Sequence, residues 1–148
     1  RAQCEIVAGR VSALNECFFW TSGHALFLRE SGRATNLKIN LEALITPTLE
    51  IGVPGGKEIL DFAEALIGTD RSKLDKTRIN LADTIGPAAV SAAAAIAANF
   101  SKNDRIANGC GIPTEPKMLK ASKDIRANLG LNDFRSAENT FKHFPEER

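Results

Sequence analysis

The run Ile6-Val7-Ala8-Gly9-Arg10-Val11-Ser12-Ala13-Leu14, continued by Asn15-Glu16-Cys17-Phe18-Phe19-Trp20-Thr21-Ser22-Gly23-His24, sets the fold class of this chain. Val7, Val11, Leu14 and Phe18 fall at i, i+4, i+7 and i+11, the apolar stripe of a helix. A first helix is therefore expected from Ala2 to about Asn15. Asn15 is a candidate N-cap for a second, from Glu16 to about Glu30, with Ser31-Gly32 as its stop. On that helix Cys17, Trp20 and His24 stand at i, i+3 and i+7 and share a face. Cys17 falls in the first turn, where unpaired backbone N–H groups and the positive end of the dipole favour thiolate over thiol. His24 could exchange a proton with whatever reacts near that sulfur.

Outward from this stretch the pattern stays helical. Thr35 to Pro54 is broken by Asn36, Asn40, Pro47, Gly52 and Pro54 and holds at most a short helix at Leu41 to Ile45. After Pro54-Gly55-Gly56, the residues Ile59, Phe62, Ala63, Leu66 and Ile67 mark a third helix ending at Gly68. Leu74, Leu81, Ala82 and Ile85 mark a fourth, capped by Asp70 or Ser72 and closed by Gly86-Pro87. Pro87 suits the first turn of a long alanine-rich helix reaching Asn108, which Gly109, Gly111 and Pro113 end. A last helix is expected from about Glu115 to Leu129. Residues 132–148 read as a polar tail with Phe134, Phe141 and Phe144 as anchors. No strand-like alternation competes, so the expectation is one all-α domain over residues 1–148 with about six helices.

A chain of 148 residues buries roughly 68–70% of its unfolded surface, enough for a core without metal or disulfide. Nineteen basic against eighteen acidic residues give a net charge of +1, and the basic residues are scattered, which argues against nucleic acid as the main partner. Three cysteines, Cys4, Cys17 and Cys110, are too few for a disulfide scaffold and point to a reducing compartment, the cytoplasm. The chain opens on Arg1, inside an apolar-periodic run, as a truncated or processed form would, and shows no signal peptide. Ile85 to Phe100 is shorter than the roughly 20 residues of a membrane span. Two histidines without ligand spacing leave zinc nothing to hold, and no cofactor is indicated.

Glu5 lies twelve residues before Cys17, and His24 lies four past position 20. With Leu28-Arg29-Glu30-Ser31-Gly32, and with Asn99-Phe100, Arg105-Ile106-Ala107 and Gly111-Ile112-Pro113 further on, this pattern resembles the alkylhydroperoxidase D family. That family lies within the carboxymuconolactone decarboxylase superfamily of all-helical oligomers. The resemblance covers about Glu5 to Gly32 and Ala88 to Pro113. It implies a homo-oligomer whose glutamate and histidine assist proton movement at a Cys-x-x-Cys pair that cycles between dithiol and disulfide. Trp20 stands where the second cysteine belongs, and an indole forms no disulfide. The intramolecular dithiol cycle is therefore not expected.

Three readings follow. Cys17 acts alone, oxidised by a peroxide to a sulfenic acid and reset by an external thiol, with His24 and Glu5 as proton relay. Alternatively His24 and Glu5 perform acid–base work on a small carboxylated or lactone substrate, as in the decarboxylase branch. Or the scaffold serves binding or assembly without catalysis. Cys17 could equally be a small buried hydrophobe, His24 an imidazole satisfied by one hydrogen bond, and Glu5 a surface residue beside the stripe. A buried Glu5 would need a partner, His24 or Cys17. Trp20 either fills or lines the dithiol pocket, and its size favours filling.

Overall fold

Helix α1, Ala2–Leu14, is the axis around which the chain packs. From Ile6 to Ala13 every residue is buried, because α2 (Phe18–Thr35), α3 (Gly56–Ile67) and α5 (Pro87–Cys110) all lie against this helix, with α4 (Arg71–Ile85) packed on α3 and α5. A helix enclosed on several sides needs no single apolar stripe. Leu14, read from the sequence as part of one, lies at the open end of α1 and is exposed. Arg10 is buried with it. Its guanidinium donates to the carbonyls of Leu44 and Ile45 at 2.9 and 3.2 Å and pairs with Glu64 Oε2 at 2.7 Å. Glu64 also receives Lys73 Nζ at 2.8 Å. One buried cation thus ties α1 to the turn after α2, to α3 and, through Glu64, to α4.

The computed structural model describes residues 1–148 and is all-helical, with eight α-helices, four short 3-10 turns and no strand. The breaks read at Gly68, Gly86-Pro87 and Gly111 fall where expected. Helix α3 is Gly56–Ile67, α4 is Arg71–Ile85 and α5 is Pro87–Cys110. Asp70 caps α4 by accepting from the Lys73 amide at 3.0 Å, and Pro87 occupies the first turn of α5. A 3-10 turn covers Leu41–Leu44.

Three expectations are corrected. Helix α2 is Phe18–Thr35, later at both ends than its sequence signals suggest. Asn15 caps the C-terminus of α1 instead of opening α2, and the chain turns at Glu16 with φ 47°. Ser31-Gly32 is no stop: a β-carbon at Gly32 would come within 2.3 Å of Ile39 Cγ1, so the glycine admits that side chain to the helix surface. The expected helix from Glu115 to Leu129 is two, α6 at Pro116–Ala121 and α7 at Lys123–Asn128, broken at Ser122.

The third correction concerns residues 132–148, read as a polar tail: they are partly helical, and with the split of the preceding helix they bring the count to eight where about six were expected. They run through short turns and α8, Glu138–Phe141, with Ala137, Thr140 and Phe141 buried. Arg126 on α7 draws them in. Its side chain is fully buried, with the guanidinium carbon 5.5 and 5.7 Å from the ring centres of Phe18 and Phe141. It donates to Asn132 Oδ1 at 2.6 Å and to the carbonyls of Leu119 and Glu147, both at 3.2 Å. Burial pushes its pKa down, with the Glu147 charge opposing. A buried cation held by carbonyls and two rings gives the aromatic tail one register.

Replacing Arg126 with Ala leaves those carbonyls unpaired and opens a cavity between Phe18 and Phe141. The expected loss is about 2–4 kcal/mol in urea unfolding. Arg126→Lys, which cannot fork across three acceptors, should recover only part of it.

Candidate active site

Glu5, His24 and Trp20 meet where α1 and α2 pack together under α5. His24 Nδ1 lies 2.8 Å from Glu5 Oε2, and their side chains are 8% and 12% exposed. With the carboxylate accepting, His24 donates from Nδ1, which leaves Nε2 as the ring nitrogen turned away from Glu5. Trp20, one turn earlier on α2, stacks on the imidazole at 5.6 Å and 21°. Phe100 of α5 stands edge-on to His24 at 4.2 Å and to Trp20 at 5.4 Å, and Phe27 closes another side at 6.2 Å. His24 Nε2 is buried in this aromatic enclosure without a hydrogen-bond partner. Burial raises the pKa of Glu5, but the hydrogen bond and charge of His24, helped by Arg1, outweigh it and hold the carboxyl below its ordinary value.

Cys17 belongs to a second cluster. It is the N-cap of α2, with φ −87° and ψ 97°, and is completely buried. Beside it is the carboxylate of Asp104, from α5, which is also fully buried. Asp104 accepts from Ser12 Oγ at 2.8 Å and Asn15 Nδ2 at 2.9 Å, and Asn108 Nδ2 donates to the Asn15 carbonyl at 3.1 Å. Burial pushes the Asp104 pKa up despite the hydrogen bonds from Asn15 and Ser12 and the Cys17 thiol. The same burial pushes the Cys17 thiol up to about 12; the Trp20 amide opposes this and the Asp104 charge adds to it. The helix N-terminus does act in the expected direction, but desolvation and a neighbouring anion dominate.

The residues singled out by sequence therefore divide. Glu5, His24 and Trp20 form one unit, and Cys17 lies next to it, joined to Asp104 with no hydrogen bond to His24. Cys4 and Cys110 are exposed, Cys17 is enclosed, and all three are free. Neither Glu5 nor His24 lines any of the five principal cavities. The one that reaches Trp20 is a surface groove of about 180 Å³ that also touches Phe19, Ile106 and Ile112. The indole thus covers His24 on its inner side and meets the groove on its outer side. No group of three His, Cys, Asp or Glu side chains is placed to hold a metal.

Sequence reasoning gave no site role to Asp104, Phe100 or Ser136. The first two carried a signal: Ala93, Ala97, Phe100, Asp104 and Ala107 fall at i, i+4, i+7, i+11 and i+14, the stripe of α5 that turns inward. An aspartate on that stripe has to be buried. Ser136 accepts the first amide of α2, Phe18 N–H, at 2.8 Å and donates to the Glu16 carbonyl. Nothing local in the sequence marks a contact spanning 118 residues.

At pH 8 Cys17 should hold about a thousandfold less thiolate than an ordinary cysteine. Iodoacetamide should therefore label Cys4 and Cys110 in the folded protein and Cys17 only after denaturation, as read by peptide mass spectrometry. The Glu5 couple gives a pH signature. A carboxyl whose folded pKa lies below its unfolded value adds stability above the unfolded value, and that gain is lost as pH falls through the folded one. The stability gap between wild type and Glu5→Gln should be fully open at pH 6 and should close below the ordinary glutamate value of 4.5, followed by urea unfolding across acid pH. Compared with protein-family models, with curated proteins and with solved structures, the chain gives no match in any of the three.

Proposed function

We propose that this chain is a divergent alkylhydroperoxidase D-like protein that keeps the family's glutamate–histidine couple, has closed the dithiol pocket with Trp20, and does not run the dithiol peroxidase cycle. The observation that carries the reading is the Trp20 indole stacked on His24, while His24 is hydrogen-bonded to Glu5. A small oxidant needs space at the sulfur and a thiolate to attack it; a buried thiol raised to about 12 supplies neither. What remains is a helical scaffold suited to assembly or binding, working as a homo-oligomer in a reducing compartment. Ile106 on α5 and Ile79 on α4, half or more exposed, support self-association. No helix is long and apolar enough to cross a membrane.

Trp20→Cys tests the lineage. Cys17 is the N-cap of α2 and position 20 lies three residues on, the placement of a Cys-x-x-Cys pair at a helix start. Under mild oxidant the variant should lose two titratable thiols and gain one disulfide linking positions 17 and 20. A folded variant that keeps all its thiols would overturn the alignment. The wild type should consume alkyl hydroperoxide in the presence of a dithiol no faster than buffer, and measurable turnover abolished by Cys17→Ser would overturn the proposed loss of the cycle.

A further inference from the structure

Behind the turn between α1 and α2, where the end of α5 meets the C-terminal segment, lies a cleft of about 490 Å³. Asn15, Asn108, Asn139, Glu16, Arg135 and Ser136 line it, and no hydrophobic side chain does. The volume is in the range of small-molecule sites, and an all-polar lining suits a polar ligand. Some of these groups are already committed. Ser136 Oγ bridges Phe18 N–H and the Glu16 carbonyl, and the Asn15 and Asn108 amide nitrogens donate to Asp104 and to the Asn15 carbonyl. The Oδ1 atoms of Asn15 and Asn108 remain as acceptors.

The two charged groups are uncommitted. Arg135 and Glu16 enter no ion pair, with each other or with any other residue. One cation and one anion therefore face the same cleft, separated by amides. Glu16 is also held in the left-handed region at φ 47°, uncommon for a residue with a β-carbon. It is fixed there by its own amide on the Ala13 carbonyl at 3.0 Å, by Cys17 N–H on the Ser12 carbonyl at 2.9 Å, and by Ser136 on its carbonyl. Backbone strain that the surroundings over-determine in this way collects at ligand sites.

We propose that this cleft binds a small polar zwitterion, a free α-amino acid with a hydrophilic side chain. Its carboxylate meets the Arg135 guanidinium, a planar donor suited to carboxylates, together with the Asn139 amide. Its ammonium meets the Glu16 carboxylate and the free asparagine oxygens. Nothing in this depends on the chemistry of Cys17 or His24.

The test uses the whole chain, ¹⁵N-labelled, titrated with L-glutamine and observed by heteronuclear NMR. L-Glutamine methyl ester lacks the carboxylate, N-acetyl-L-glutamine lacks the ammonium, and glucose is polar but uncharged. Saturable shifts confined to the cleft at millimolar L-glutamine are expected. The ester, the N-acetyl compound and glucose, and the variants Arg135→Gln and Glu16→Gln with L-glutamine, should each weaken binding about tenfold or more, the consequence of losing a charge-assisted hydrogen bond. Absence of saturation with L-glutamine, ester or N-acetyl binding equal to that of the zwitterion, glucose binding as tightly, or variants that bind like wild type would each overturn the proposal. Both substituted side chains are exposed; should a variant fail to fold, the ligand series on the wild type still decides.

Discussion

The buried carboxylate of Asp104 is the constraint on which the rest of this structure depends. It lies at zero exposure on the inward stripe of α5 and takes its hydrogen bonds from Ser12 and Asn15, both at the end of α1. An unpaired carboxylate in a core costs several kcal/mol, and hydrogen bonds recover most of that only while their geometry holds. The end of α1, the start of α2 and the last third of α5 must therefore keep one arrangement. Asn108, one turn beyond Asp104, reinforces it through the Asn15 carbonyl.

From that anchor the candidate site follows step by step. Asn15, held by Asp104 through its amide nitrogen, stands at the C-terminal cap of α1. The chain turns through positive φ at Glu16, Cys17 becomes the cap, and the first free amide of α2 goes to Ser136 from the far end of the sequence. One turn into α2, Trp20 then faces Phe100, which precedes Asp104 by one turn on the same face of α5. A single face of α5 thus supplies an aromatic edge to His24 and an anion to Cys17. The two clusters are distinct in chemistry but fixed by the same helix.

Much of the architecture was legible in sequence because its signals are local. The Gly86-Pro87 break, the Asp70 cap and the stop at Gly111 each depend on residues within a few positions. Helix α2 misled because Ser31-Gly32 has the composition of a terminus, while its role is to admit Ile39, a tertiary fact. The register of Glu5 left His24 and Cys17 both open as its partner, and only the packing of α1 on α2 chooses His24; the size of Trp20 was legible, its stacking on His24 was not. The ionisation of Cys17 was not, because the helix-start argument sees backbone dipoles and is blind to an aspartate 87 residues away. Arg126 stayed hidden for the same reason: its partners are carbonyls and rings gathered from Phe18 to Glu147.

Closure of this site has two separable causes. The indole occupies the space over His24, and burial, with the Asp104 charge adding to it, keeps Cys17 a thiol. A smaller residue at position 20 would uncover the face of His24 on which the indole stacks while leaving the carboxylate beside Cys17. Neutralising Asp104 alone would lower the Coulomb barrier to thiolate but leave the sulfur buried and strand the donors of Ser12 and Asn15. Changing Asp104 also weakens the contacts that hold α1, α2 and α5 in register. The inertness of the thiol is coupled to the integrity of the fold, whereas the Glu5–His24 couple, whose hydrogen bond is independent of Asp104, can persist without it.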